Sequence, residues 1–187
     1  MENLNIDDNL HLERISTSMA PVIFGAIDAN RQFLRKWLPF VDRTQRISDT
    51  EDFIRSIDEE QPAYRNEVYA IWYKWEFAGL IAYKDTDRAN CKTELGYWMI
   101  ENLQGKGIMT RSVLKLIELA FRKMNINRIQ IKVALGNKKS AAIAKRLNFR
   151  LEGIERDGEK HHNRFRDLEV YSLLKKEWNV LSEKTAK

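Results

Sequence analysis

Between Glu94 and Met124 the spacing of apolar side chains changes once, and that change organises the chain. Leu95, Tyr97 and Met99 alternate with Gly96, Trp98 and Ile100, the period of two of a strand. A polar, glycine-bearing turn follows, Gln104 to Gly107. From about Thr110 the period becomes helical, with Val113, Leu114, Ile117, Ala120, Phe121 and Met124 on one face. The order is strand, glycine loop, helix. Gly105 and Gly107 would let the backbone approach a ligand closely. The first N–H groups of the helix, at the positive end of its dipole, would face an anion there. Such a loop suits a pyrophosphate.

The same periodicities divide the rest of the chain. Residues 9–15 place Leu10, Leu12 and Ile15 in a first strand. Ser18 to about Leu38 reads as helical, with a break near Asp28–Asn30 and Pro39 closing the segment. A third helix should begin at Ser48 or Asp49, bury Phe53, Ile54 and Ile57, and end by Pro62. Val68–Tyr73 and Phe77–Tyr83 read as a hairpin about Lys74–Glu76, with Asp85–Asn90 a polar loop. Arg128 to Val133 alternates as a fifth strand, Gly136-Asn137 is a turn, and Asn137 can cap a helix running to Leu147. Phe149–Ile154 and Phe165–Leu174 read as two last strands separated by a polar segment, Glu155–Arg164, with a frayed tail from Ser182. No repeat or linker intervenes, so residues 1–187 are expected to form a single domain.

Composition narrows the function. A chain that is 43% hydrophobic has enough apolar surface to fold on its own. No apolar run approaches the length of a membrane span, and no leader pattern opens the chain, so no membrane partner is expected. Cys91 is the only cysteine, which excludes an intramolecular disulfide and a thiolate metal cluster and makes the reducing cytoplasm the expected home. Charge is uneven: residues 1–100 carry 12 Lys/Arg against 17 Asp/Glu, and residues 101–187 carry 20 against 10. The basic half could surround a phosphate-rich cofactor, and the acidic half could draw a cationic amine or a basic tail. The basic residues are spread over helix, strand and loop without a recognition motif, so no nucleic-acid partner is expected.

Two common phosphate loops do not fit. For Gly-x-x-x-x-Gly-Lys-Ser/Thr the glycines are too few and too close, and Thr110 stands where Gly-x-Gly-x-x-Gly needs its third glycine. The stretch resembles motif A of the GNAT acyltransferases, Gln/Arg-x-x-Gly-x-Gly/Ala, with Gln104, Gly107 and Met109 in its defining positions. Met109 departs from the usual Gly/Ala, yet Gln104 to Thr110 is similar to the form found in ribosomal-protein N-terminal acetyltransferases of the RimJ/RimL type. A second segment, Asn137-Lys138-Lys139-Ser140 followed by Asn148-Phe149 and Glu152-Gly153, resembles motif B of the same family. Alone, Asn137 and Ser140 are ordinary residues for a helix first turn. The two motifs in this order, one helix and one strand apart, carry the resemblance, and the element order matches over nearly the whole chain.

The resemblance implies an α/β GNAT acyl-CoA N-acyltransferase fold, a mixed central sheet of about seven strands flanked by helices. It implies acetyl-CoA as cosubstrate, held by Met99, Ile100, Gln104, Gly105, Lys106, Gly107, Ile108, Met109 and Thr110. Asn137 would meet the pantetheine arm and Ser140 the region of the sulfur, and no metal is implied. Acyl transfer to an amine must deprotonate an ammonium, polarise the thioester, stabilise an oxyanion and protonate a thiolate. The family does this by direct attack, so Cys91 is expected to be a filler rather than a nucleophile. Backbone N–H groups of Trp98–Ile100 are the expected oxyanion site. Glu159 matches by position the glutamate proposed as base in the RimL type and is favoured over Glu94, although either could be a plain surface carboxylate. Ser140 is the candidate acid, with Tyr97 or a water as substitute. His161 and His162 should point apart on a strand and lack spacing to a third metal ligand. Of the aromatics Trp37, Phe40, Tyr69, Trp72, Tyr73 and Trp75, most are expected in the core, and some would line an acceptor cleft between the early helices and the hairpin. The expected acceptor is the α-amine of a protein N-terminus, whose reference pKa of about 8 lies below the lysine value of about 10.4. The alternatives are a small-molecule amine acetyltransferase (polyamine, antibiotic or amino acid) and a non-enzymatic CoA-binding module. A homodimer is compatible with the resemblance.

Overall fold

A computed structural model describes residues 3–59 and 67–179; the expected stop at Pro62 and the tail from Ser182 lie outside them. The chain runs β1 (Leu4–Asp7), β2 (Leu10–Arg14), α1 (Ala20–Ala29), α2 (Arg31–Leu34), α3 (Ile47–Glu59), β3 (Glu67–Tyr73), β4 (Glu76–Asp87) and β5 (Lys92–Met99). It continues with α4 (Ile108–Lys123), β6 (Arg128–Ala134), α5 (Lys138–Arg146), β7 (Arg150–His161) and β8 (Arg164–Leu174). Among the described residues the strands form one eight-stranded sheet, ordered β1-β2-β3-β4-β5-β6-β8-β7. All neighbours are antiparallel except β5 and β6. This is one strand more than the sequence pattern offered, because four residues of β1 are too few to display a period.

The helical break falls at Asn30, whose carbonyl receives the N–H groups of Phe33 and Leu34 while its Nδ2 donates to the Ala26 carbonyl at 2.9 Å. On α3 the buried stripe passes through Thr50, Ile54 and Ile57, which leaves Phe53 on its flank, 44% exposed, against expectation. On α4, which starts two residues earlier than expected, Leu116 is buried and Leu114 is exposed. Both corrections follow from helical phase, which a broad apolar stripe does not fix in sequence. The loop expected at Asp85–Asn90 is shorter, because β4 continues to Asp87, which pairs with Lys92. Cys91 lies half-buried in the turn that remains, with a φ of 51°.

The largest correction concerns the polar segment Glu155–Arg164. Most of it is strand: β7 and β8 form a long hairpin closed at His161↔Arg164. β7 is the edge of the sheet and most of its residues are exposed, the exceptions Glu155, Glu159 and His161 being polar, so it has no apolar alternation to read.

Strand parity assigns the two faces of the sheet. Tyr83 donates to the Leu116 carbonyl of α4, so Tyr83, Ile81 and their partners Leu95 and Tyr97 face α4. Leu80 and Trp98, one residue out of phase, face the opposite side, where Trp98 meets Phe40 at 6.5 Å between ring centres.

Candidate functional site

The glycine loop follows β5 directly. Gly105 and Gly107 sit at φ values of 78° and 72°, the left-handed region that glycine alone enters without strain. Nothing lies within 4 Å of a Cβ built on either residue, so conformation and not crowding demands glycine at both positions. Gly107 is the N-cap of α4 and brings no side-chain acceptor to the helix. The first N–H groups of a sixteen-residue helix therefore end beside the exposed residues Gly105, Lys106 and Gly107 without a side-chain cap. Ile108 and Met109 are 0% and 5% exposed; their side chains fill the core and only their main chain can serve a ligand. An inward-pointing side chain explains how methionine can replace the glycine or alanine of the motif. Two cations of α5 reach the loop: Lys139 Nζ donates to Gln104 Oε1 at 2.7 Å and Arg146 Nη1 to Thr110 Oγ1 at 3.1 Å. Uncapped donors and flanking cations are the electrostatics that an anionic phosphate group requires.

Beside the loop the sheet splits. β5 and β6 pair only at Lys92↔Arg128, Thr93↔Ile129 and Glu94↔Gln130; beyond Glu94 they diverge. Tyr97 and Ser140 meet across the gap on the α4 face, with 3.1 Å between their hydroxyl oxygens. Burial pushes the Tyr97 phenol up to about 12, against the opposing hydrogen bond from Ser140, so it holds its proton near neutral pH. Asn137 caps α5, its Oδ1 accepting from the Ser140 N–H at 3.2 Å. The N–H of Ile100 donates to the Ala78 carbonyl at 2.9 Å, so Ile100 is committed to the sheet and is not a free oxyanion donor. Met99, one residue out of phase, directs its N–H toward the side from which β6 has departed. An irregularity in β4 fixes this edge: Ile71 pairs with Gly79 but Trp72 with Phe77, leaving Ala78 as the extra residue. Cys91 lies at the opposite end of β5, away from the gap.

The other face carries the carboxylates. Glu94 is 6% exposed, 2.7 Å from Lys84 Nζ and 3.9 Å from Lys132 Nζ, while Lys132 also pairs with Glu155 at 2.9 Å. These four residues form a row of alternating charge from β4 to β7, crossing the sheet where β5–β6 pairing ends. With both oxygens beside ammonium groups, Glu94 ties the divergent strands together. Glu159 stands on β7 opposite Arg166, in a strand and not in the charged loop the sequence suggested. Burial raises its carboxyl above the usual range; Lys84 and Arg166 oppose the shift and Glu94 adds to it.

The hairpin end is docked on the segment after α2. Arg166 Nη1 donates to the Lys36 carbonyl at 2.8 Å and lies over Trp37, and His162 Nδ1 is 2.9 Å from Asp42 Oδ2. The two histidines do not point apart: His162 leaves the strand at a φ of 54°, and the rings lie 4.3 Å from each other. His161 is 2% exposed, its ring nitrogens lack a hydrogen-bond partner among the described residues, and burial lowers its pKa. Sequence reasoning named the loop, Tyr97, Ser140, Glu94 and Glu159, and the structure places all of them around the gap between β5 and β6. It missed Lys84, Lys132 and Arg166, whose roles rest on cross-strand neighbours that no local pattern encodes.

Comparison with known proteins bears on the chemistry. Residues 9–150 match the family model described as an acetyltransferase (GNAT) domain. The chain is 34% identical to "Putative ribosomal N-acetyltransferase YdaF" of Bacillus subtilis (strain 168), over 95% of this chain and 98% of that one. Its structure is similar to that of RimL, the ribosomal L7/L12 alpha-N-protein acetyltransferase, in complex with Coenzyme A. The TM-score is 0.87 at 26% identity, covering 92% of this chain and 98% of that one. It is also similar to the microcin C7 self immunity acetyltransferase MccE in complex with acetyl-CoA and AMP. There the TM-score is 0.86 at 30% identity, covering 90% of this chain and 94% of that one.

Proposed function

Because the chain belongs to the GNAT acetyltransferase family, we propose that it moves the acetyl group of acetyl-CoA to the α-amine of a protein N-terminus, with a ribosomal protein as the acceptor. One observation carries the reading. The gap between β5 and β6 has a hydroxyl pair, Tyr97 and Ser140, on one face and a partly desolvated carboxylate, Glu159, on the other. A thioester held in the gap would then have a proton donor on its sulfur side and a base on its amine side. In this reading the loop N–H groups of residues 105–109 bind the pyrophosphate. The Asn137 amide, whose nitrogen the cap does not use, meets the pantetheine arm. Glu159 takes the proton of the incoming ammonium, Met99 N–H steadies the oxyanion, and Ser140, backed by Tyr97, returns a proton to the departing thiolate.

Burial raises the carboxyl toward both amines alike, and the gap that remains is smaller to an α-amine near about 8 than to a lysine near about 10.4. The similarity to RimL, named for an alpha-N-protein activity, and to YdaF, named for a ribosomal one, supports the acceptor. The similarity to MccE supports a rival, a small-molecule amine. The test is thiol release from acetyl-CoA with free and N-blocked peptides, polyamines and aminoglycosides, for wild type and Glu159→Gln. Turnover confined to free N-termini and lost in the variant supports the reading. Faster turnover of small amines transfers the reaction to the rival acceptor, and acetyl-CoA binding without any turnover leaves a binding module.

A further inference from the structure

Glu159 stands among cations yet pairs with none of them. It lies directly opposite Arg166 in the β7–β8 ladder, and such neighbours share a face with Cβ atoms about 4.5–5.5 Å apart. Lys84 is the other cation whose charge reaches it. A half-buried carboxylate with a lysine and an arginine in range would ordinarily take one of them as a charge-assisted hydrogen-bond partner. Among the described residues, Glu159 makes no hydrogen bond and no ion pair.

Both cations are engaged elsewhere. Lys84 is the cross-strand partner of Glu94, and its Nζ lies 2.7 Å from Glu94 Oε1. The side chains are 46% and 8% exposed, so the carboxylate is the fixed member and the lysine the one that leans in. Gly96 keeps the lane open for it: a Cβ there would stand 3.3 Å from Lys84 Cε, against the lysine stem. Arg166 is taken by the segment after α2, where Nη1 donates to the Lys36 carbonyl at 2.8 Å. Its guanidinium lies 5.9 Å from the centre of the Trp37 ring, which attracts a cation and gives a planar one a surface to lie on. Lys132, a third cation of this face, is shared between Glu94 and Glu155.

We infer that Glu94 and Trp37 are positioning residues for acetyl transfer: each holds a cation that would otherwise close on Glu159, and together they keep the base unpaired. This rests on the reading of Glu159 as the base. A carboxylate bonded to a guanidinium or an ammonium is stabilised in its charged form and is a weaker base, with an oxygen already committed. Unpaired and partly desolvated, Glu159 keeps both oxygens for the incoming ammonium, the cation that the reaction itself brings. Glu94 acts twice, since it holds Lys84 and its own negative charge opposes ionisation of Glu159.

The test compares wild type with Glu94→Gln, Trp37→Leu, Trp37→Phe and the double variant Trp37→Leu/Arg166→Met, each verified as folded by thermal denaturation. The Glu159 carboxyl is followed by ¹³C NMR in glutamate-labelled protein, its resonance identified by its loss in Glu159→Gln. In parallel, kcat/KM for a peptide with a free N-terminus is measured against pH. Glu159 should titrate about 1 pH unit lower in Glu94→Gln and in Trp37→Leu, the low end of what a close opposite charge brings, and the acidic limb of kcat/KM should follow. Trp37→Phe keeps a ring under the guanidinium and should titrate as wild type does. The double variant, with the cation gone, should titrate above wild type. A Glu159 that titrates at its wild-type pH in both Glu94→Gln and Trp37→Leu overturns the inference and leaves Glu159 as the base. A double variant that titrates below wild type overturns the role of Trp37, which would then not act through Arg166. Undiminished activity in Glu159→Gln overturns the reading beneath them.

Discussion

Gly79 is the most informative single position for the architecture of the site. A Cβ built there lies 2.1 Å from the Trp98 carbonyl oxygen, 2.8 Å from Met99 Cα and 3.0 Å from the Trp98 carbonyl carbon, all backbone atoms of β5. No side chain can swing away, so Gly79→Ala must displace one strand from the other by about 1 Å to restore an ordinary contact. Forcing a methyl into a packed position costs about 1–3 kcal/mol. For a chain of this size each kcal/mol lowers Tm by about 2–4 °C, which gives a fall of about 2–12 °C. The displaced residues are the ones that direct Met99 N–H and the Tyr97 hydroxyl into the gap. A misplacement of about 1 Å can cost about a hundredfold in rate, so kcat/KM should fall far more than the stability loss alone would suggest. Gly25→Ala is the matched control: Gly25 is exposed on α1 with nothing within 4 Å, and alanine there should stabilise by about 0.5–1 kcal/mol with activity unchanged. Differential scanning calorimetry and steady-state acetyl transfer measure both variants. A Gly79→Ala protein with wild-type Tm and wild-type kcat/KM would refute the tight β4–β5 edge.

Other perturbations read other parts of the site. Glu159→Gln should lower kcat/KM by about 10²–10⁴-fold at neutral pH. In the wild type the acidic limb of kcat/KM should lie above the ordinary carboxylate value of 4.5, because burial raises the Glu159 pKa, with activity lost as pH falls through it. Lys84→Met removes the first of the groups opposing that shift and should move the limb to still higher pH; an unmoved limb would detach Lys84 from the base. Tyr97→Phe and Ser140→Ala should each lower kcat with little change in the KM for acetyl-CoA, and the double variant should lose less than the product of the two, since the hydroxyls act as a pair 3.1 Å apart. His161 is buried with its pKa lowered, so above its unfolded value of 6.5 it costs no stability through ionisation. As pH falls below that value the unfolded chain takes up a proton that the folded chain does not, and stability declines toward the folded pKa. Urea denaturation across that window should show this slope in wild type and a flatter one in His161→Phe.

Much of this was legible in the sequence because it is local. The strand, glycine loop and helix from Leu95 to Phe121 announce themselves by a change of period, and Asn137 caps α5 as its position before a helix suggests. What stayed hidden is what depends on neighbours distant in sequence. β7 has polar residues on both faces because it is a sheet edge, so Glu155–Arg164 resembled a loop. Ile100 reads as an available donor until β4 places the Ala78 carbonyl beside its N–H. Glu94 reads as a lone strand-edge carboxylate until Lys84 and Lys132 are seen to flank it. Phe53 and Leu114 read as inward because a broad apolar stripe leaves the helical phase open, and packing turns both outward.

The most direct measurement is the position of the acetyl group itself. A peptide with a free N-terminal serine and an internal lysine is incubated with acetyl-CoA and the protein, then fragmented in a mass spectrometer. One acetyl group is expected, on the α-nitrogen of the serine, and none when Glu159→Gln replaces the wild type. Acetyl on the lysine side chain, or α-acetylation that persists undiminished in the variant, would contradict it.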